Sequence, residues 1–296
     1  TIMNTQILDQ ITADPGQHER FARIALACLT IPGEPNPPAA RLTGTNGPAV
    51  VQHILETTPH PLADTPVIET IERVADGTHT VIIPGDPQWP TGLDDLGPDR
   101  PVALWAVGDL TLLASAPGQT VTLTGARAAT SYGDYTAAEL AHDLTRTGHS
   151  IVTGGAYGID AAATRATLTT SGHAIVVLAS GIDRPYPAGN IGLLHQVTEH
   201  GLVLTETPPS AAPTRSRFVA RTRILAALSA ATVIVEAGAR SGAAHVAHTA
   251  HRLARTVGAV PGPITSTTST GCHLLIQAGI ARLITSANDL ALTVDE

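Results

Sequence analysis

Val121 to Asp160 reads VTLTGARAATSYGDYTAAELAHDLTRTGHSIVTGGAYGID, a succession of strand, glycine turn, helix, strand, glycine turn and helix. Val121-Thr122-Leu123-Thr124 is short, apolar and β-branched, and Gly125 stops it, which fits a buried parallel strand. From Tyr132 to Thr147 the apolar or small residues Ala137, Leu140, Ala141 and Leu144 recur at helical spacing. Gly148 stands where a C-terminal glycine stop belongs. Ser150-Ile151-Val152-Thr153 is the next strand, and Gly154-Gly155-Ala156-Tyr157-Gly158 follows it. Two strands joined through one helix run parallel with a right-handed crossover. Both glycine turns then open at the carboxyl edge of one sheet, where open α/β sheets bind their ligands.

Outward from this unit the same alternation continues. Strands are predicted at Val81–Pro84, Val102–Val107, Ala174–Ala179, Leu202–Thr205, Thr232–Glu236 and Val257–Val260, with a short one near Leu283. Helices are predicted between them at Ile159–Thr170, Asn190–His200, Phe218–Leu228, Ser241–Ala254 and Cys272–Ala278. The pattern is a doubly wound α/β domain with a mostly parallel sheet. Before it, Phe21, Ile24, Ala25 and Leu29 mark a helix that Pro32 to Pro38 ends, and Asn46-Gly47-Pro48 is a turn before a helix over Ala49 to Glu56. Thr58 to Pro66 is proline-rich and reads as a linker, followed by a short helix over Asp64 to Val74. This divides the chain into a small helical module, 1–62, and the α/β domain, 63–296, with a strand-rich core over 81–290. The module carries no recognisable chemistry and reads as a packing or dimerising appendage.

The chain has 296 residues, 43% hydrophobic content and a mean hydropathy of +0.14, enough for a sizeable core. No run of eighteen apolar residues is present, so no membrane span is expected, and acids interrupt the first thirty residues where a signal peptide would be apolar. Cys28 and Cys272 match no metal or redox motif and fit a reducing cytoplasm. All 17 basic residues are Arg, the side chain suited to planar, bidentate phosphate contacts. The net charge of −8 argues against nucleic acid, but it is unevenly spread. Thr207 to Asn288 holds Arg215, Arg217, Arg221, Arg223, Arg240, Arg252, Arg255 and Arg282 against Glu236 alone. A basic face on an acidic chain is the pattern of a binding footprint.

Several positions are candidates for chemistry. Strand-to-helix turns leave backbone N–H groups pointing outward, and glycine lets a bound anion approach them, so Gly125, Ala126, Gly154, Gly155 and Gly158 are candidate phosphate contacts. The other reading of these glycines is a tight turn and nothing more. Arg127, just past the first turn, faces the crevice if it is more than a surface Arg. Pro213 to Leu228, PTRSRFVARTRILAAL, sets four Arg in nine positions around Phe218, one of only two Phe in the chain. Cations track a phosphate backbone while a ring stacks a base; alternatively Phe218 is core and the segment a solvated helix start. With Phe218 opening the helix, Arg221 falls on the same face and both Arg221 and Arg223 are expected to be exposed. Glu236-Ala237-Gly238-Ala239-Arg240-Ser241-Gly242 ends a strand and starts a helix capped by Ser241, with Gly242 allowing close approach and Glu236 read as ion partner of an Arg in preference to a catalytic carboxylate. His245, His248 and His251 lack the spacing and the carboxylate of a metal set. There is no nucleophile elbow and no Walker lysine, so no catalytic residue, metal or cofactor is expected.

Together these blocks resemble the DprA/Smf family of DNA-processing proteins. The resemblance rests on Gly125-Ala126-Arg127, on Thr153 to Ala163 and on Gly181-Ile182-Asp183-Arg184-Pro185-Tyr186-Pro187. It continues through Phe218 to Ala226, Val235-Glu236-Ala237, Arg240 to Ala243, Ala259-Val260-Pro261-Gly262 and Gly271-Cys272, in matching order from about Ile82 to Leu290. It implies an extended Rossmann-like domain that binds single-stranded DNA, forms homodimers and cooperates with the recombinase RecA in natural transformation. By the same resemblance Arg127 is the pocket Arg, Arg215 and Phe218 the basic-plus-aromatic pair, and Arg221 and Arg223 the Arg-Asn-Arg cations. The chain departs from the pattern at Ala126, at Tyr157 where an Arg is common, at Thr222 where Asn stands between the two Arg, and at His273 in place of Asn. The competing reading is an enzyme or sensor for a small nucleotide, akin to nucleoside-monophosphate phosphoribohydrolases. Those resemble Pro-Gly-Gly-x-Gly-Thr, where this chain has Glu236-Ala237-Gly238-Ala239-Arg240-Ser241. The DNA reading requires the guanidinium groups of the C-terminal third to converge with open peptide amides along one rim.

Overall fold

The computed structural model describes residues 2–30, 41–42, 46–57, 66–114 and 119–292. Among the described residues nine strands form one sheet: β1 (Thr80–Ile82), β2 (Leu104–Gly108), β3 (Thr120–Thr124), β4 (Ser150–Thr153), β5 (Ala174–Val177), β6 (Leu202–Thr205), β7 (Ala231–Ile234), β8 (Thr256–Ala259) and β9 (Arg282–Leu283). Their order is β1-β2-β6-β5-β4-β3-β7-β8-β9. β1 and β2 pair antiparallel, as do β2 and β6, and every other pair is parallel. The winding leaves β3 in one direction through β4, β5 and β6, then returns to lay β7 on its other side. The switch point therefore lies between the carboxyl ends of β3 and β7, the place a doubly wound sheet reserves for a ligand.

Helices α5 (Ser131–Arg146), α6 (Ile159–Thr169), α7 (Ile191–His200), α8 (Arg215–Ala227), α9 (Gly242–Arg252) and α10 (Thr270–Gln277) cover the sheet. Strand side chains alternate between its faces. Val121, Leu123, Ile151, Val233 and Val235 pack with Leu140, Ala141, Leu144 and Ile159 of α5 and α6. Val152, Val177, Ile234 and Val257 pack with Ile224, Leu225, Val246, Ala247, Cys272 and Leu275 of α8, α9 and α10. These strands are covered on both sides, which explains why they read as unbroken apolar runs.

The first part of the chain supplies α1 (Ile2–Thr12), α2 (His18–Leu29), α3 (Gly47–Thr57) and α4 (Val67–Ala75). Their apolar faces meet Val81, Ile83, Ala103 and Trp105 of the β1–β2 region, so the module is seated on the antiparallel end of the sheet. The first of these helices carries no strong periodicity and was legible only as part of a helical module. The turn expected at Asn46-Gly47-Pro48 is instead the start of α3: Gly47 N–H donates to Glu19 Oε2 at 2.9 Å, and Pro48 fills a first-turn position where no donor is needed. The proline stop at Pro32 to Pro38 and all of the expected linker but Pro66 lie outside the described residues, as does a boundary at residue 62. Among the described residues no helix is long and apolar enough to cross a membrane.

Candidate nucleic-acid interface

At the switch point a pocket of about 470 Å³ opens between the end of β3, the start of α6 and the first turns of α8 and α9. Arg127, Arg215, Phe218 and Arg221 line it with Ser241 and Gly242. Helix α8 begins one turn before Phe218, capped by Thr214, whose side chain accepts from Arg217 N–H. That earlier start puts Arg215 and Arg217 at the helix N-terminus, with no acid in the first turn. Cations there oppose the helix dipole. Helix α9 also starts without an acid, behind the Ser241 cap, whose Oγ accepts from Ala243 N–H at 3.2 Å. Two positive helix ends and several guanidiniums thus face one cavity, a field that favours an anion.

Phe218 is half-buried. Arg127 Cζ lies 4.6 Å and Arg221 Cζ 5.5 Å from its ring centroid, both within cation–π range. Tyr186 packs edge-on at 5.8 Å with the planes 63° apart. The ring is therefore neither core nor solvated ornament. It is held by two cations and an aromatic edge at the mouth of the pocket.

Arg221 is not exposed, contrary to expectation. It retains 8% of its surface and its Nη1 donates to Gly154 O at 2.5 Å and to Val177 O at 3.3 Å. Burial pulls its guanidinium below the ordinary value, Asp160 opposes that shift and Arg127 adds to it. Arg223 turns away from the pocket. Its Nη1 and Nη2 make a bidentate pair with Glu206 at 2.6 Å each, and its Nε donates to Asp99 O at 2.6 Å. Burial disfavours the charged Arg223, but Glu206 outweighs it and the net shift is upward. A helix advances 100° per residue, so two positions after Arg221 the side chain points elsewhere. Arg223 is a fold cation, not a pocket cation.

The glycine turns are also less open than the motif suggests. Asp160 Oδ2 accepts from Gly154 N–H at 3.0 Å and from Ala156 N–H at 3.2 Å, and its Oδ1 accepts from Thr124 Oγ1 at 2.8 Å. The chain's own carboxylate thus occupies Gly154, one of the amides expected to hold phosphate, and Gly155 N–H donates to Thr153 Oγ1 at 3.3 Å. Gly154 and Gly155 are buried, and a Cβ on Gly154 would lie 2.5 Å from Arg221 Cζ. Gly158, with φ +70°, brings the second turn against the first: a Cβ there would lie 2.3 Å from Ala126 O. Ala126 is equally engaged, donating to Glu236 O at 2.7 Å and accepting from Ile159 N–H at 3.2 Å. Gly125 packs where a Cβ would meet Glu236 O at 2.6 Å. These glycines serve mainly close backbone packing. At Gly242 a Cβ would meet nothing within 4 Å, so no close approach requires glycine there.

Glu236 is buried and takes no Arg partner among the described residues. Its carboxylate accepts from Thr130 N–H at 2.9 Å, Thr130 Oγ1 at 2.7 Å and Thr268 Oγ1 at 3.1 Å. The basic segment does not form one face either. Arg255 pairs with Asp95 at 2.5 Å and Arg252 donates to Thr249, both at the far end of α9. Arg282 donates to Asp289 O at the sheet margin. Arg240 is exposed beside the Ser241 cap without lining the pocket. The convergent set is Arg127, Arg215 and Arg221 around Phe218. Among the described residues no cluster of three metal-ligating side chains occurs.

Three contributors escaped the sequence reading. Asp160 was visible only as the end of a motif, although a carboxylate in a helix's first turn beside glycines is a signal for amide capture. Tyr186 became a ring neighbour through the fold alone. His245, weighed only for metal, lines the pocket from α9. Of the departures, Tyr157 accepts Gly189 N–H at 3.0 Å, Thr222 donates to Val219 O at 2.6 Å within α8, and His273 Nε2 donates to Gly262 O at 3.1 Å.

A sheet wound both ways about a switch point, with guanidiniums and an aromatic ring in the crevice there, defines a Rossmann-like α/β ligand-binding protein. Residues 80–295 match the family described as DNA recombination-mediator protein A, and the chain belongs to that family. It is 44% identical over 237 residues to a DNA processing protein DprA of Mycobacterium tuberculosis, covering 74% of this chain and 60% of that one. Against the DNA processing protein DprA of Bacillus subtilis it is 35% identical over 192 residues, 65% of this chain and 64% of that one. The matches thus span less than two thirds of these relatives' lengths. The crystal structure of DNA processing protein A from Streptococcus pneumoniae superposes with a TM-score of 0.72 at 31% identity, covering 87% of this chain and 86% of that one. The structure of DNA processing protein A from Helicobacter pylori gives 0.64 at 28% identity, covering 71% of this chain and 93% of that one.

Proposed function

We propose that this chain binds single-stranded DNA in the pocket formed by Arg127, Arg215, Phe218 and Arg221, and that it does so without turnover. The observation that carries the reading is the Phe218 ring set between two guanidiniums where two acid-free helix N-termini meet. Guanidinium groups and helix ends attract phosphates, and a base stacks on a ring or on an Arg plane. Arg127 lies over Phe218 in the free chain, so an entering base either displaces that guanidinium or stacks on it. The structure of the Helicobacter pylori relative is described by its single-stranded DNA binding mode, which supports the same ligand here. The family resemblance extends the proposal to protection of single strands and loading of RecA in recombination and natural transformation, by a cytoplasmic homodimer.

The mononucleotide alternative has less support. Asp160 takes two amides of the glycine turn after β4, and Glu236, the carboxylate at the end of β7, is held by Thr130 and Thr268.

The test is an oligonucleotide titration at increasing salt. The wild-type chain is expected to show a steep fall of log K with log salt, and Arg127→Ala with Arg215→Ala to flatten that slope by about 0.7 per lost phosphate contact. A wild-type slope near zero overturns the reading. RecA loading is tested separately by filament formation on protein-coated single strands, with and without the chain.

A further inference from the structure

All four tyrosines of this chain stand at the carboxyl edge of the sheet, and each is between 44% and 67% exposed. Tyr132 and Tyr135 lie in the first two turns of α5, Tyr157 in the turn after β4, and Tyr186 in the loop after β5. The two tryptophans, by contrast, are buried. A folded chain ordinarily tucks such rings away, so a whole residue type gathered in solvent on one edge points to a contact made there.

One of the four touches the pocket's ring, and a second follows Ala156, which lines the pocket. Tyr186 touches Phe218 edge-on, and Arg127 covers the same ring. Tyr157 is pinned from behind: its hydroxyl accepts Gly189 N–H at 3.0 Å, and a Cβ on Gly189 would lie 2.7 Å from that hydroxyl and 3.0 Å from Tyr157 Cε1. Its turn is further held by Asn190 Nδ2, which donates to Gly155 O at 2.9 Å and to Ala156 O at 3.0 Å. The loop that carries Tyr186 is fixed in turn, since Asp183 accepts from Ser210 N–H at 2.7 Å and Arg184 Nη1 donates to Ser210 O at 3.0 Å. Exposed rings on a braced backbone lose little freedom on binding. Arg184 and Arg127, both exposed, interleave cations with these rings.

We infer that Tyr157 and Tyr186 form a stacking track that continues from Phe218 across the ends of β4 and β5 and receives successive bases of a single strand. The inference rests on the DNA reading above and adds to it a second part of the site, one that contacts bases rather than phosphates. Stacking of this kind tolerates any base sequence, because every base has a π-face. Tyr157 occupies the place where the family resemblance puts an Arg, so this chain carries an aromatic ring there in place of a cation.

The test compares oligothymidylate with an abasic oligomer of equal length, which keeps the phosphates and removes the bases. The wild-type chain is expected to bind oligothymidylate at least roughly tenfold more tightly. Tyr157→Ala with Tyr186→Ala is expected to lose roughly tenfold on oligothymidylate and almost nothing on the abasic oligomer, while Tyr157→Phe with Tyr186→Phe keeps the wild-type preference. Equal wild-type affinity for the two oligomers overturns the track and leaves the phosphate site standing, as does an equal loss on both in the Ala variant. Binding of neither oligomer overturns the underlying DNA reading as well.

Discussion

Arg221 and Gly154 are packed guanidinium against backbone: Nη1 donates to the Gly154 carbonyl at 2.5 Å, and no room for a Cβ remains between them. One contact joins α8 to the turn after β4, so the cation beside Phe218 also holds the crevice closed from beneath. Gly154→Ala drives a methyl into that guanidinium and is expected to cost about 1–3 kcal/mol in chemical denaturation, the range for overpacking a close-packed site. Arg221→Ala leaves two buried carbonyls without a donor and Asp160 without its nearby cation. It is expected to lower both stability and oligonucleotide affinity, so affinity must be measured per folded molecule.

Arg223→Ala separates the two functions. Glu206 has 8% of its side chain exposed and loses both charge-assisted bonds in that variant. Breaking a buried pair by removing one partner costs about 3–5 kcal/mol, whereas replacing both partners with apolar groups is close to neutral. Arg223→Ala is therefore expected to lose that much stability, and Arg223→Met with Glu206→Leu to recover most of it. Affinity for single strands is expected to be unchanged in the folded fraction of each.

The order of strands and helices was legible because buried parallel strands are β-branched runs closed by glycine, and that signal is local. The site was legible only in part. Arg127, Arg215 and Phe218, singled out in the motif blocks, meet at one pocket. Arg221 and Arg223 are spaced like surface cations, and only the crossing of α8 over β4 and β6 decides that one is buried and the other paired. The capture of the glycine amides by Asp160 is likewise a contact across a turn, which no periodicity reveals. Counting charge over Thr207 to Asn288 overstated the basic face, because α9 carries Arg252 and Arg255 to the opposite end of the sheet from Arg240.

Arg127→Ala is the clean test of binding. The side chain is exposed and lies over the Phe218 ring. Thermal stability is expected to stay within about 0.5 kcal/mol of wild type, while affinity for single strands falls and the salt slope decreases. Arg127→Lys is expected to restore the slope more fully than the affinity, because an ammonium supplies the charge without the stacking plane.

Both thiols are expected to be silent in the native state. Cys28 and Cys272 are fully buried, and burial pushes each thiol up to about 12. The thiolate is the reactive form, so a disulfide reagent at pH 8 should detect almost no thiol until denaturant is added, then two. Prompt labelling of either without denaturant would mean that the core around α2 or α10 opens far below the global transition.

Acid should weaken the fold through His149. The residue retains 5% of its surface at the end of α5. The Thr147 hydroxyl spends its proton on Leu144 O at 2.9 Å, so the 3.0 Å contact to His149 is Nδ1–H donating to Thr147 Oγ1. Nε2 is then the basic nitrogen, and it has no partner among the described residues. Protonating it places a charge in a dry position, and burial accordingly holds His149 below the ordinary histidine range. His79 is shifted the same way, again chiefly by burial. The unfolded chain takes up these protons first, near pH 6.5, so stability is full above about pH 7.5 and falls as the pH drops through 6.5 toward the lower folded values. The slope per histidine does not exceed about 1.4 kcal/mol per pH unit. The lowered carboxylates Asp76, Asp109 and Asp289 respond below about pH 5, as the unfolded carboxyls begin to protonate, and so act beneath this window. Denaturation midpoints between pH 5 and 8 check the point: His149→Gln should flatten the dependence, and an unchanged slope in that variant would assign the effect to other groups.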